Sequence, residues 1–182
     1  RDLRMSRGLG DVYKRQAESR GRAFVLFTSY RLMVQAAEKV RPFCEEQGWT
    51  LYVQGQDMQR HAMLEAFRKD VDSVLFGTDS FWTGVDVPGE SLSNVIVTRL
   101  PFEVPDHPLV ESRFESIRER GGNPFYEYSV PVAILKLRQG VGRLIRTRSD
   151  SGMVVILDPR VATKRYGMRF LKSLPEARLE FV

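Results

Sequence analysis

The chain has 182 residues, 42% of them hydrophobic and 10% aromatic, with 28 Lys and Arg against 23 Asp and Glu, a formal net charge of +5. That apolar content suits one domain with its own core and excludes global disorder, while a single cysteine excludes a disulfide framework or a typical structural zinc site. No apolar run approaches the ~18 residues of a membrane span and no secretory signal is visible, so a reducing, cytoplasmic setting is expected.

Residues 1–16 (RDLRMSRGLGDVYKRQ) read unlike the rest, with five basic and two acidic residues, a net of +3, and neither a helical nor a strand period. The stretch resembles an adaptor-derived translation and is set aside from the fold as non-native; the alternative is a basic arm that touches nucleic acid. The chain starts without Met and its first strand pattern follows at once, so a piece of a longer protein is expected.

Residues 23–27 (AFVLF) form a short unbroken apolar run, the mark of a strand buried on both faces. After Thr28 and Ser29, Leu32, Val34, Ala36, Ala37 and Val40 keep helical spacing. Pro42 is expected to bend or shorten that helix before Gly48 ends it. A strand is expected at 50–53 (TLYV) and an amphipathic helix at 58–67. A third strand, 74–76 (VLF), leads into the loop 77–89 (GTDSFWTGVDVPG). Residues 94–98 (NVIVT) make a fourth strand, ending at Leu100-Pro101-Phe102. A charged helix over 107–120 and a longer one over 130–146 follow, then a last strand at 154–157 (VVIL), stopped by Asp158-Pro159. A helix over 166–174 closes the pattern before Pro175.

Strands alternating with helices predict one α/β domain with a mainly parallel sheet and helices on both faces. Ligands in such sheets sit at the carboxyl ends of the strands, which directs attention to Thr28-Ser29, the 77–89 loop and the segment around Asp158. There is no GxxxxGK followed by Ser or Thr, so the chain has no phosphate loop (Walker A) of its own. Cys44 has no arginine where a phosphatase needs one, and His61 and His107 stand in no nucleophile context.

The most specific segment is Gln139-Gly140-Val141-Gly142-Arg143-Leu144-Ile145-Arg146. On a helix, Gln139, Arg143 and Arg146 fall at i, i+4 and i+7 and share a face, and Gly142 keeps the backbone beside them accessible. Guanidinium forks match phosphate oxygens, so this face suits a polyphosphate; the competing reading is a solvated basic face. Two interior glycines cost a helix roughly 1 kcal/mol each, which argues for a use other than helix stability.

QGVGRLIR resembles motif VI of superfamily 2 helicases in the form of the DinG/XPD-like group. Ser80-Phe81-Trp82-Thr83-Gly84-Val85-Asp86-Val87-Pro88-Gly89 is similar to motif V, and residues 24–29 (FVLFTS) to motif IV. Leu100-Pro101-Phe102, Pro105-Asp106-His107-Pro108, Asp158-Pro159-Arg160 and Lys164-Arg165-Tyr166-Gly167 are similar to further stretches of the group, in its order, across residues 22–175. The resemblance implies a three-layer RecA-like domain over residues 17–182, the second of two that clamp ATP with Mg2+ between them. The first would carry the phosphate loop, the DEAH-type box and, in many members, an iron–sulfur cluster, which one cysteine cannot hold here.

By the same resemblance, Arg143 and Arg146 would reach the ATP phosphates, Arg146 as the γ-phosphate finger, with Gln139 orienting the network. Gly84, Asp86 and Gly142 would line the nucleotide side, Asp86 being either a partner of a motif arginine or a turn residue. Thr28, Ser29, Thr78 and Ser80 would hold nucleic-acid phosphates, although an ordinary N-cap also explains Thr28-Ser29. Phe81 and Trp82 either stack on a base or pack their loop. The implied whole is a monomeric DNA helicase of repair or replication acting 5′→3′ on single-stranded or forked DNA. This chain alone would be inactive; the alternatives are a stand-alone nucleic-acid-binding module without ATPase activity and a different α/β nucleotide-binding domain. Charge distribution agrees: residues 17–135 hold 12 basic and 17 acidic groups, a net of −5, whereas residues 136–172 hold 10 and 2, a net of +8. Within the latter, Arg160, Lys164, Arg165 and Arg169 form a candidate DNA-facing patch, or else a solvated face.

Overall fold

A computed structural model describes residues 2–5, 22–56, 58–78, 81, 94–103, 108–142, 152–175 and 178–181. In chain order the elements are β1 (Asp2–Met5), β2 (Ala23–Leu26), α1 (Tyr30–Gln47), β3 (Thr50–Val53), α2 (Arg60–Lys69), β4 (Ser73–Gly77) and β5 (Asn94–Val97). There follow α3 (Pro108–Glu119), a π-helical turn (Phe125–Ser129) leading into α4 (Val130–Val141), β6 (Met153–Ile156), α5 (Arg160–Thr163), α6 (Gly167–Ser173) and β7 (Arg178–Phe181). The strands lie in the order β3-β4-β2-β5-β6-β1-β7, and each neighbouring pair is parallel.

The unbroken apolar runs are strands with both faces covered, and every residue of β2, β4 and β5 is buried. Alternation sorts their side chains. Phe24, Leu26, Leu75, Val95, Val97, Val154 and Ile156 point to one face, where Met63 and Phe67 of α2, Ala133 and Leu137 of α4 and Phe170 of α6 meet them. Ala23, Val25, Val74, Phe76, Ile96 and Val155 point to the other, against Met33, Ala36, Ala37, Val40 and Cys44 of α1. The result is the expected three-layer α/β/α arrangement, each buried Phe or Leu contributing about 1.5–3 kcal/mol. Cys44 is sealed in this second layer, and burial pushes its thiol up to about 11.

Pro42 does not shorten α1, which runs on to Gln47. Proline removes a single hydrogen bond, and Val40 and Cys44 on either side of it are pinned in the core, so packing holds the helix through it. The helix stops where Gly48 turns left-handed (φ 71°) and its amide reaches back to the Cys44 and Glu45 carbonyls. The π-helical turn has no counterpart in the sequence reading, because its residues FYEYS carry no apolar period. Asn123 sets it, its Oδ1 accepting the amides of Phe125 and Tyr126 at 3.0 and 3.3 Å. The expected 166–174 helix begins one residue later, at Gly167, after the short α5.

Within residues 1–16, the stretch without a period that resembles an adaptor-derived translation, Asp2–Met5 pairs with both β6 and β7. Parallel pairing uses backbone N–H and C=O groups, which side-chain periodicity does not announce. Among the described residues no helix is long and apolar enough to cross a membrane, and no group of three or more His, Cys, Asp or Glu gathers as metal ligands.

Candidate nucleic-acid and nucleotide sites

The parallel sheet brings the ends of β2, β4, β5 and β6 to one edge. Backbone bonds tie these ends together: Phe27 donates to the Gly77 carbonyl at 2.8 Å, Thr98 to Leu26 at 3.0 Å and Leu157 to Val97 at 2.9 Å. Thr28 and Ser29 emerge exposed from β2. Ser29 is extended (φ −141°, ψ 126°), and its Oγ accepts the Leu32 amide at 3.4 Å, so it caps α1. The Thr28 side chain makes no hydrogen bond among the described residues. Thr28 and Ser29 thus lie at the N-terminal end of an 18-residue helix, where the helix dipole favours negative charge.

Thr78 reaches the same edge but is already engaged. Its amide and hydroxyl both donate to Gln54 Oε1, at 2.7 and 2.9 Å, so a phosphate would have to displace Gln54. Gln54, in the turn after β3, is a residue the sequence reading missed; only the spatial adjacency of β3 and β4 could have found it. Beside it, half-exposed Tyr30 lies against Gly55.

Phe81 is not a base-stacking residue. It is wholly buried, its ring edge-on to Phe24 at 6.2 Å with the Arg60 guanidinium 5.3 Å from its centroid. Gly77 makes room for it, since any Cβ there would stand 2.7 Å from the Phe81 Cβ. Of the two open readings, Phe81 therefore packs its loop.

At the end of β6, Asp158 is almost fully buried. Its carboxylate accepts the Leu100 amide at 2.9 Å, the Arg160 amide at 3.0 Å and the Arg160 guanidinium at 2.6–3.0 Å. Burial alone would raise the Asp158 pKa, but the Arg160 side chain and the two amides outweigh it and hold the carboxyl below its ordinary range. The carboxylate in turn holds Arg160 above its usual value. Arg160 also lies 5.3 Å over the Phe102 ring. It joins the ends of β5 and β6, with its charge matched by Asp158, whereas Lys164, Arg165 and Arg169 of the same candidate patch are exposed.

Gln139 and Gly142 occupy a different place. Because β6 is parallel to β5, the chain has to return to the amino edge before entering it, and α4 is the last described element on that path. Phe102 stacks on Phe125 at 5.5 Å, fixing the head of α4 by the carboxyl edge, so Gln139 and Gly142 lie about 14 and 18 Å further along the helix. Val130, Ala133, Leu137 and Val141 face the core, while Gln139 and Gly142 are exposed. The structure thus gathers Thr28, Ser29 and Thr78 and holds Gln139 and Gly142 apart from them. Ser80, Trp82, Gly84, Asp86, Arg143 and Arg146 lie outside the described residues.

Comparison with known proteins adds to this geometry. The helicase C-terminal domain family matches residues 14–177. The chain is 45% identical over 170 residues to the ATP-dependent DNA helicase YoaA of Haemophilus influenzae, covering 93% of this chain and 26% of that protein. It is 46% identical over 157 residues to the ATP-dependent DNA helicase DinG of Photobacterium profundum, covering 84% and 22%. The chain therefore spans about a quarter of the length of these curated relatives. Among solved structures, apo XPD superposes over 100% of this chain and 39% of its own, with a TM-score of 0.67 at 16% identity, a likeness of fold.

Proposed function

We propose that this chain, which belongs to the helicase C-terminal domain family, acts as the second RecA-like motor domain of an ATP-dependent DNA helicase. The observation that carries the reading is a half-site: a RecA-like sheet without a phosphate loop that nevertheless bears QGVGRLIR. ATP with Mg2+ binds between this domain and an upstream motor domain, which contributes the phosphate loop, the metal ligands and any iron–sulfur cluster. Its hydrolysis supplies the free energy that opens and closes the pair. From this chain, Arg143 and Arg146 approach the phosphates, Arg146 at the γ-phosphate, where such arginines are worth roughly 10³–10⁵ in rate. Gln139 orients them, and Gly84, Asp86 and Gly142 line the nucleotide side.

Thr28 and Ser29 hold backbone phosphates of single-stranded DNA, with Ser80 and Trp82 along the same track and Thr78 joining once Gln54 yields. Separation of the two groups along α4 suits a domain that senses nucleotide at one place and DNA at another, the requirement for a ratchet. Movement is 5′→3′, the protein works as a monomer on single-stranded or forked DNA in repair or replication, and it resides in the cytoplasm.

The test is Arg146→Ala in the full-length parent. ATP turnover is expected to fall by at least 10³-fold with single-strand affinity retained. Equal loss of both would assign Arg146 to DNA, and robust DNA-stimulated turnover by the 182-residue chain alone would overturn the half-site reading.

A further inference from the structure

A cleft of about 430 Å3 opens between the segment after β5, α3 and the π-helical turn, lined in part by Phe102, Phe114, Arg118, Asn123, Phe125 and Arg160. Its volume falls within the range of small-ligand sites, and apart from Arg160 of the candidate basic patch no residue assigned to nucleotide or DNA above lines it. Phe125 is 38% exposed, yet its ring is held rigidly: stacked on Phe102 at 5.5 Å and backed by Tyr166 at 5.1 Å. The ring stands on the π-helical turn, a geometry that is rare and recurs at functional sites.

Charge at the rim is asymmetric. Glu103 pairs with Lys136 at 3.0 Å, Arg160 with Asp158 and Arg120 with Glu127 at 2.7 Å. Arg118, exposed in the last turn of α3 with its guanidinium 5.8 Å from the Phe114 ring, makes no ion pair among the described residues. One uncompensated guanidinium beside a fixed, exposed aromatic ring is the pairing that a nucleotide recognises, phosphate on the one and base on the other. Asn123 spends its Oδ1 on the turn, and its side-chain N–H groups, which make no hydrogen bond among the described residues, are donors of the kind that suit the carbonyl oxygens of a base. Position agrees, because Phe102 and Arg160 follow β5 and β6 and so sit on the edge that presents Thr28 and Ser29.

We infer that this cleft takes one unstacked nucleotide of single-stranded DNA, its base on Phe125 and its phosphate on Arg118. The inference rests on the reading of this chain as a DNA-binding motor domain. It makes the cleft a second holding point on the strand, beyond the β2 end.

The test uses the 182-residue chain with a labelled oligo-dT, measured by anisotropy at low salt, and the same oligonucleotide carrying 5-iodouracil for crosslinking. Expected are crosslinks to the peptides bearing Phe114 or Phe125, about tenfold weaker binding for Phe125→Ala, and a salt slope reduced by about one for Arg118→Gln. Phe125 also packs on Tyr166, so Arg118→Gln, on an exposed side chain, is the variant that leaves the fold intact; melting curves verify it. Tight binding with crosslinks confined to the Thr28–Ser29 peptide, and both variants neutral, would overturn the cleft and leave the motor-domain reading standing. A cleft that binds an acidic aromatic peptide and is indifferent to oligo-dT would overturn it too. A chain that binds no oligonucleotide at all would remove the inference's basis, and the Arg146→Ala turnover assay judges the motor reading separately.

Discussion

The exits of β2 and β6 lie on one edge of the sheet, separated by β5, and treat charge in opposite ways. At the end of β6, Asp158 and Arg160 carry full charges, but they spend them on each other and on the Leu100 amide. At the end of β2, Thr28 and Ser29 carry none; the Ser29 hydroxyl caps the long helix α1, and the Thr28 side chain makes no hydrogen bond among the described residues. Formal charge and available donors are therefore distributed differently between the two exits. The net +8 of residues 136–172 already counts Asp158 against Arg160, so the excess rests on the other basic residues of that segment.

The largest expected effect tests the closed exit. Asp158→Asn leaves the Arg160 guanidinium and the Leu100 amide poorly paired and is expected to cost about 2–4 kcal/mol in urea unfolding. The folded pKa of Asp158 is depressed, so its contribution is complete above the ordinary carboxylate pKa, about 4, and is lost as pH falls through the lower folded value. The wild-type protein should lose stability in that acid window, and Asp158→Asn should flatten this part of the profile. Retention of full stability by the variant would mean that the two exits do not differ as described.

The open exit gives a smaller and more selective effect. Ser29→Ala removes the cap on Leu32 and is expected to cost about 1 kcal/mol. Ser29→Asp keeps a capping oxygen while adding a charge that repels phosphate, so stability should hold and oligo-dT affinity should fall severalfold. Parallel loss of both in Ser29→Asp would reduce Ser29 to a cap. Smallest of all, Arg165→Gln on the exposed remainder of the basic segment should change stability by less than about 0.5 kcal/mol. It should lower the salt slope of DNA binding by about one. A flat salt slope would return the remaining patch to solvent.

Much of the fold was legible because buried parallel strands announce themselves as short apolar runs. Residues 23–27, 50–53, 74–76, 94–98 and 154–157 all became strands within a residue or two. The π-helical turn escaped because a mixed aromatic and acidic run has no period, and β1 escaped because parallel pairing uses backbone groups that side-chain periodicity does not announce. In the candidate site, the Ser29 cap was readable from local chemistry. The commitment of Thr78 to Gln54 and of Arg160 to Asp158 was not, because each depends on what a fold places beside a side chain. Phe81 is the sharpest instance: its composition suited a platform for bases, and Gly77 and Phe24 turned it inward.

Cys44, under α1, has a practical consequence. With its thiol pushed up to about 11, almost none is thiolate at neutral pH, and it is shut away from reagents. As it is the one cysteine of the chain, a cysteine engineered at Thr28 or on the rim beside Arg118 would be the sole site that takes a maleimide dye. The native background thus permits site-specific labelling of this domain without first removing a residue from the core.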